Sequence, residues 1–204
     1  MITIVDYGMG NLRSVQKAFE LFCPKVMVSS SAKDIAAASK VVLPGVGAFG
    51  KAMEELQKKG LVGALKDAIK SGRPFLGICL GIQLLFPESE EAGQVKGLGI
   101  LKGKVRKFKD SHGLKIPHMG WNRIKFKDQN SKCKVLEGVP DGSHMYFVHS
   151  YYVEPEDKEV VLCETEYGDI FASAIQKDNI YAFQFHPEKS QKIGLNIVKN
   201  FAEL

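Results

Sequence analysis

The chain of 204 residues is 45% hydrophobic and 25% charged, and its net charge of +5 is modest. This length suits a single domain, which we expect to span residues 1–204 with a core large enough to fold alone. No apolar run is long enough to cross a membrane, and the apolar stretch at residues 1–5 is too short for a signal peptide. We therefore expect a cytoplasmic protein without a membrane partner.

The four cysteines are scattered along the chain without the Cys-x-x-Cys spacing of a zinc site, and the five histidines show no ligand pairing. Scattered cysteines favour a reducing compartment over a disulfide framework. We expect no metal and no other cofactor. The cysteines are Cys23, Cys79, Cys133 and Cys163.

The first half of the chain alternates between predicted strands and helices, which is typical of a parallel sheet. Helical periodicity predicts a helix at residues 12–22 and helical segments within residues 52–69. An amphipathic segment that contains Leu80, Leu84 and Leu85 follows the fourth strand. The strands are predicted at residues 2–6, 25–28, 40–43 and 75–78.

The second half is richer in strands and ends in a helix. A basic run at residues 102–109 alternates with the period of a strand, so we interpret it as a solvated strand face and expect no nucleic-acid partner. The whole pattern predicts an α/β fold with a mostly parallel central sheet, flanking helices and antiparallel strand additions. The late elements are short strands within residues 98–126, strands at 146–153, 160–164, 172–176 and 180–185 that close the sheet, and a helix at 191–203.

Cys79 stands between two glycines in Gly77-Ile78-Cys79-Leu80-Gly81, where a buried strand gives way to a helical segment. This pattern is the cysteine form of the sharp strand–turn–helix that presents a nucleophile. Side chains at both glycine positions would collide in so tight a turn. We expect the positive end of the helix to favour the thiolate. The simpler alternative is an inert cysteine that closes a core strand.

His186-Pro187-Glu188 follows an aromatic strand near the end of the chain. Proline cannot continue a ladder, so the chain leaves the sheet there and places both polar side chains at its edge. We interpret His186 as the general base for Cys79 and Glu188 as the group that fixes its tautomer. A His-Pro turn with a solvated glutamate is the simpler reading, but the cysteine turn favours a Cys-His-Glu triad.

Such a triad needs hydrogen-bond donors for an oxyanion. The N–H of Leu80, directly after the nucleophile, is one candidate, and Gly47 in the glycine-rich loop at residues 44–50 is the other. The same loop contains the Gly-x-Gly-x-x-Gly spacing of dinucleotide sites and resembles a shortened P-loop. Ala52 cannot hold magnesium as serine or threonine would, and no acidic residue ends the next strand. Nucleotide binding is therefore the weaker hypothesis.

Together these motifs resemble those of the class I glutamine amidotransferases, triad glutaminases that release ammonia from glutamine for a synthase partner. The resemblance rests on the cysteine turn with Gln83 and on His-Pro-Glu, and it implies a flavodoxin-like α/β fold. Further blocks resemble the branch of this family that serves histidine biosynthesis, and they follow the family's order over the whole chain. These blocks lie at residues 6–14, 44–49, 117–122 and 146–151.

The resemblance implies that glutamine is the substrate and that Gln83, Glu91 and the backbone near Ser150 hold its head group. It also implies a heterodimer with a (β/α)8 cyclase subunit, which would use the ammonia to form imidazole glycerol phosphate and an aminoimidazole carboxamide ribotide. An exposed helical position for Gln83 and an acidic loop for Glu91 are the simpler readings. The candidates for the interface and for coupling between the two sites are Asn11, Trp121, Tyr146 and Lys189.

Three alternatives stay open at this point. A related glutaminase that donates ammonia to another synthase, such as a sugar amidotransferase, would carry the same triad. Trp121 is equally a candidate for core packing, and Lys189 for an ordinary surface lysine. We expect little glutaminase activity from the isolated chain, since a flipped peptide within residues 44–47 would remove an oxyanion donor.

Overall fold

The computed structural model describes residues 1–109, 113–128 and 133–204. The strands, in chain order, are β1 Ile2–Val5, β2 Val26–Ser29, β3 Lys40–Gly45, β4 Phe75–Cys79, β5 Glu88–Ser89, β6 Gly103–Lys107, β7 His118–Arg123, β8 Lys125–Phe126, β9 His144–His149, β10 Tyr151–Pro155, β11 Val161–Tyr167, β12 Asp169–Lys177 and β13 Ile180–Phe183. The helices are α1 Leu12–Glu20, α2 Ala32–Ala37, α3 Phe49–Lys58, α4 Leu61–Lys70, α5 Leu80–Gln83 and α6 Gln191–Glu203, with short 3₁₀ helices at Lys134–Leu136, Lys158–Val160 and Pro187–Lys189.

Eleven strands form one sheet in the order β2-β1-β3-β4-β13-β12-β10-β6-β5, and β11 pairs with both β12 and β8. Strands β2, β1, β3, β4 and β13 are parallel to one another. Strands β12, β10 and β6 are joined to this core by antiparallel pairing. The predicted α/β fold, with a mostly parallel central sheet and antiparallel additions, is therefore confirmed.

Helices cover both faces of the sheet. On one face, Ile35 of α2, Leu56 of α3 and Leu65 of α4 belong to one buried cluster. On the other face, Phe19 of α1 meets Phe201 of α6 edge-on, with ring centroids 6.0 Å apart. With both faces covered, β1, β4 and β13 are buried at every residue, which explains why they appear in the sequence as continuous apolar runs, whereas the edge strand β2 is only partly buried.

The parallel core brings two distant parts of the chain to one edge. β4 and β13 are neighbours, with Ile78 opposite Phe183. The carboxyl ends of parallel strands lie at the same edge, where ligands of open α/β sheets bind. Cys79 ends β4 and His186 follows β13, so both lie at this edge.

The strand predicted at residues 146–153 is not one strand. The chain changes sheet at Ser150, because β9 pairs with β7 in a separate two-stranded sheet whereas β10 pairs with β6 in the main sheet. The carbonyl of Ser150 accepts a hydrogen bond from the N–H of Phe108 at this break. An unbroken run of strand-forming residues hides the change of sheet, so the prediction of a single strand that closes the sheet was wrong.

The prediction of an amphipathic helix after Cys79 was also wrong. α5 contains one turn only, and Leu80, Leu84 and Leu85 are all buried. Because α5 packs among β3, β4, β10 and β13, it has no solvent face. The helix whose positive end was expected to favour a thiolate is therefore only one turn long.

The basic run lies partly on β6, where Arg106 pairs with Glu154 at 3.1 Å and with Glu90 at 3.5 Å. Part of its positive charge is thus neutralised by neighbouring acidic residues. None of the helices within the described ranges combines the length and apolarity that a membrane span needs.

Candidate active site

Cys79 lies on the sharp turn between β4 and α5. Its backbone has φ of 55° and ψ of −108°, a conformation that residues other than glycine rarely adopt. Such strain persists only where the surrounding structure enforces it, and it is concentrated at functional sites. β4 is held between β3 and β13. The local geometry is therefore that of the nucleophile turn predicted from the sequence.

The two glycines that flank Cys79 are required because backbone atoms occupy the space of their missing side chains. A Cβ atom at Gly81 would overlap the carbonyl oxygen of Leu43. A Cβ atom at Gly77 would lie 2.9 Å from the carbonyl group of Gly81. Neither overlap can be relieved by rotating a side chain. A side chain at either position would therefore collide with the backbone, as the sequence predicts.

His186 and Glu188 form a buried pair beside this turn. Nδ1 of His186 lies 2.8 Å from Oε1 of Glu188, and both side chains are almost fully buried. The N–H of His186 donates to the carbonyl of Tyr146, and the hydroxyl of Ser190 donates to the carbonyl of His186. The histidine is thus fixed through its backbone as well as through the carboxylate.

The electrostatics of the site favour a protonated His186. Burial lowers the pKa of the imidazole, but the negative charges of Cys79 and Glu188 outweigh burial and raise that pKa to about 10. Nε2 of the ring is buried. Cys79 raises this pKa both through its charge and through a hydrogen bond to the ring, so the imidazolium is the form of His186 that the site stabilises.

A cavity of about 360 Å³ opens at the turn, within the size range of small-molecule sites. Among the described residues, no group of three or more His, Cys, Asp or Glu side chains is arranged to hold a metal ion. Six predicted site residues line the cavity together, namely Gly47, Cys79, Leu80, Gln83, Glu91 and Ser150. The rest of the lining comes from Val46, Pro117, Val148, His149 and Tyr151.

Gln83 and Glu91 are both held by backbone groups. Nε2 of Gln83 donates to the carbonyl of Tyr151 at 2.9 Å, and Gln83 is buried. Oε2 of Glu91 accepts from the N–H of Phe49 at 2.7 Å, which caps α3 where Ala48 provides no side-chain cap. Gln83 is therefore not an exposed helical residue, and Glu91 is not a free charge in an acidic loop.

Gln184 is a site residue that the sequence analysis missed. It is fully buried, and its Nε2 lies 3.9 Å from Sγ of Cys79. Its Oε1 accepts from Nε2 of Gln83 at 3.2 Å, so it joins the nucleophile to a predicted glutamine-binding residue. The available signal was a polar residue inside an aromatic strand, since buried polar side chains need partners.

Three of the predicted interface residues are neighbours. Trp121 is 47% exposed, so it is not a core residue, and it meets Tyr146 edge-on with ring centroids 6.1 Å apart. Nζ of Lys189 lies 5.8 Å from the centre of the Tyr146 ring. Asn11 instead caps the first turn of α1, where its side chain accepts from the N–H of Ser14.

The sequence matches the family model of class-I glutamine amidotransferases over residues 3–203. The chain therefore belongs to the class-I glutamine amidotransferase family and is an enzyme of that class. Within the family it is similar to proteins named imidazole glycerol phosphate synthase subunit HisH. The one from Aquifex aeolicus (strain VF5) is 54% identical over 199 residues, which cover 97% of this chain and 94% of the relative. The one from Methanocaldococcus jannaschii is 53% identical over 207 residues, which cover 100% of both chains.

Solved structures share the fold. A crystal structure of a glutamine amidotransferase matches with a TM-score of 0.76 and 17% identity, covering 100% of both chains. The glutaminase domain of Trypanosoma brucei CTPS with bound acivicin matches with a TM-score of 0.69 and 17% identity, covering 99% of this chain and 93% of that one. At these identities the likeness concerns the fold, and it agrees with the fold that the sequence predicts.

Proposed function

We propose that this chain hydrolyses glutamine to glutamate and ammonia through a triad of Cys79, His186 and Glu188. One observation carries the proposal. The strained cysteine lies beside a buried His–Glu pair, and the cavity at its sulfur is lined by the residues that the sequence predicts for glutamine binding. Membership of the glutamine amidotransferase family supports the same chemistry.

In the proposed mechanism, the Cys79 thiolate attacks the side-chain amide carbon of glutamine. N–H groups of Gly47 and Leu80 stabilise the negative charge that develops on the amide oxygen. His186, protonated at neutral pH, gives its Nε2 proton to the departing ammonia. The neutral ring then takes a proton from water, which hydrolyses the glutamyl thioester and releases glutamate. Glu188 accepts from Nδ1–H and stabilises the imidazolium that forms again.

The head group of glutamine is held by Gln83, Glu91 and the backbone near Ser150. Both hydrogens on Nε2 of Gln83 are already used, by the carbonyl of Tyr151 and by Oε1 of Gln184. Only Oε1 of Gln83 is left for a ligand, and an acceptor oxygen suits an α-ammonium group. The carboxylate of Glu91 borders the same cavity and adds the negative charge that this group needs.

The ammonia passes to a synthase partner. The HisH relatives are named as subunits of imidazole glycerol phosphate synthase, which supports a (β/α)8 cyclase as the heterodimer partner and a place in histidine biosynthesis. We assign residues 1–204 to one glutaminase domain, which works in the cytoplasm. The proposed interface contains Asn11, Trp121, Tyr146 and Lys189.

The test is glutamate release from glutamine by the chain alone and with a purified cyclase subunit that carries its ligand. We expect stimulation of about 100-fold or more, since one oxyanion donor is worth about 10²–10³ in rate. Cys79→Ala should abolish the activity and leave cyclase binding intact. Activity that does not respond to the cyclase would exclude this partner, and no activity in either mixture would refute the glutaminase function.

A further inference from the structure

A row of hydrogen bonds runs from the wall of the cavity to the second sheet. It contains two histidines that the proposed reaction does not use, His118 on β7 and His149 on β9, which are 3% and 6% exposed. Nδ1 of His118 lies 2.9 Å from Nε2 of His149, and Nδ1 of His149 lies 2.8 Å from the carbonyl oxygen of Tyr151. At the other end, Nε2 of His118 lies 3.2 Å from Nδ2 of Asn122.

The chemistry of the inner end fixes the direction of every bond in the row. The carbonyl of Tyr151 only accepts, so Nδ1 of His149 carries a hydrogen. A neutral imidazole has one donor and one acceptor, so Nε2 of His149 accepts from Nδ1–H of His118. Nε2 of His118 then accepts from the amide of Asn122, which also donates to the carbonyl of Glu166 at 2.9 Å. Each ring is therefore held in one tautomer.

Burial keeps both rings in the neutral form that this pattern requires. It lowers the pKa of His118 to about 4 and the pKa of His149 to about 3. Aromatic rings restrict their movement, since His118 stacks on Phe147 and Tyr167, with centroids 4.9 and 4.0 Å away. Phe171 packs edge-on against His149. Neither ring changes its charge near neutral pH.

The inner end of the row is a carbonyl that also orients Gln83. The oxygen of Tyr151 accepts from Nδ1 of His149 and from Nε2 of Gln83. A carbonyl oxygen has two lone pairs, so these two donors satisfy it fully. The second N–H of Gln83 donates to Gln184. The direction of the Gln83 amide therefore depends on a carbonyl that His149 holds in place.

We propose that His118 and His149 are positioning residues for glutamine binding. They fix the Tyr151 carbonyl so that Gln83 presents its Oε1, and not its N–H groups, to the α-ammonium of the substrate. This proposal rests on the proposed glutaminase function. The contact lies away from the reacting amide carbon, so it stabilises substrate and transition state equally. Its loss therefore raises KM and leaves kcat unchanged.

Asparagine and glutamine at position 149 separate the roles of the two ring nitrogens. The amide nitrogen of asparagine lies near the place of Nδ1, so it keeps a donor for the carbonyl of Tyr151. The amide nitrogen of glutamine lies near the place of Nε2, so that donor is lost. In the complex with liganded cyclase, His149→Gln should raise the KM for glutamine about tenfold, with kcat unchanged within about twofold. His149→Asn loses only the acceptor for His118, so it should raise the KM by about threefold at most.

Position 118 provides an independent pair of variants. His118→Asn keeps a donor toward His149 and His118→Gln removes it, so only the second should raise the KM, by about threefold. The matched control is Phe201→Leu, because Phe201 is as deeply buried, packs against Phe19 and Tyr181, and takes no part in the row of hydrogen bonds. This control should lower Tm as the histidine variants do, and leave the KM unchanged.

A second readout needs no turnover. The concentration of acivicin that gives half the maximal rate of Cys79 modification should rise in His149→Gln by the same factor as the KM. Equal KM values in His149→Gln, His149→Asn and the wild type would overturn the proposal, as would a fall in kcat at constant KM. A wild-type complex without glutaminase activity would instead refute the proposed function, so the two failures are distinguishable.

Discussion

At the scale of single residues, the protonation of His186 depends on the charge of Cys79. Serine at position 79 would remove the thiolate that has the largest raising effect on the imidazole. We therefore expect Cys79→Ser to lower the pKa of His186 from about 10 toward its ordinary range. A group is protonated below its pKa, so the wild-type ring should stay an imidazolium up to about pH 10. The measurement is a pH titration of the His186 ring protons by NMR.

Cys23→Ser is the control for this titration. Cys23 is half-buried, and its sulfur contacts the carbonyl of Lys25 rather than the triad. This variant should leave the pKa of His186 at about 10. If His186 titrates in Cys79→Ser as it does in the wild type, Glu188 alone raises the pKa of the ring.

The residues of the site differ in how far the sequence could predict them. Cys79 and His186 lie in short motifs whose glycines and proline indicate the local backbone conformation. Both residues could therefore be predicted from the sequence. The contacts of Gln184 and His149 could not, because their partners lie on other strands or are backbone carbonyls, although a polar residue in an aromatic strand did mark Gln184 as unusual. Which carbonyl a buried side chain meets depends on the strand register, and a single sequence does not state the register.

At the scale of elements, the nucleophile turn makes the sharpest demand on residue type. We expect Gly81→Ala to destabilise the protein by about 3 kcal/mol or more, because its Cβ would overlap the backbone of Leu43. Gly63→Ala is the matched control, since Gly63 lies exposed in α4 with open space around it. That variant should gain about 0.5–1 kcal/mol. The free energies of unfolding are measured in urea.

The two alanine variants are read together. An unchanged slope of the unfolding free energy against urea would show that each variant unfolds from a native state of the same compactness. A Gly81→Ala protein as stable as the wild type would mean that the strand-to-helix turn relaxes freely. The strained φ of Cys79 would then not be enforced by its surroundings.

Elements that are buried on both sides were the easiest to predict. β1, β3 and β4 read as apolar runs, and α6 reads as an apolar stripe, because the two faces of the sheet are covered by helices. The change of sheet at Ser150 was missed because residues on either side of it have the same strand-forming character. The length of α5 was overestimated because leucines at helical spacing continue beyond Gln83. Nothing in the sequence shows that the helix ends after one turn and is buried on all sides.

At the scale of the whole molecule, the sheet order determines which surfaces surround the site. α1 follows β1 and begins at the edge where Cys79 and His186 lie, so its cap Asn11 is at that edge. The second sheet brings Trp121 and Tyr146 to the same side, where Tyr146 also neighbours His186. A partner bound over this edge would cover the entrance to the triad. Topology therefore places the proposed interface next to the proposed triad.

The exposed Trp121 provides the test of that surface. Tryptophan residues that dominate interfaces cost about 2 kcal/mol or more on truncation, so Trp121→Ala should weaken cyclase binding about 30-fold. Its Tm should match that of the wild type, since 47% of Trp121 is exposed. Binding is measured by isothermal titration calorimetry with the purified cyclase subunit.

Leu21→Ala is the control for this variant. Leu21 is 64% exposed and lies just beyond the far end of α1, away from the edge where Asn11 caps it. It offers a similar apolar surface at the opposite side of the sheet, so its truncation should leave the Kd unchanged. Equal affinities for Trp121→Ala and the wild type would place the cyclase elsewhere. Partner binding would then have to influence the triad from a surface other than the one formed by Trp121 and by Tyr146, the neighbour of His186.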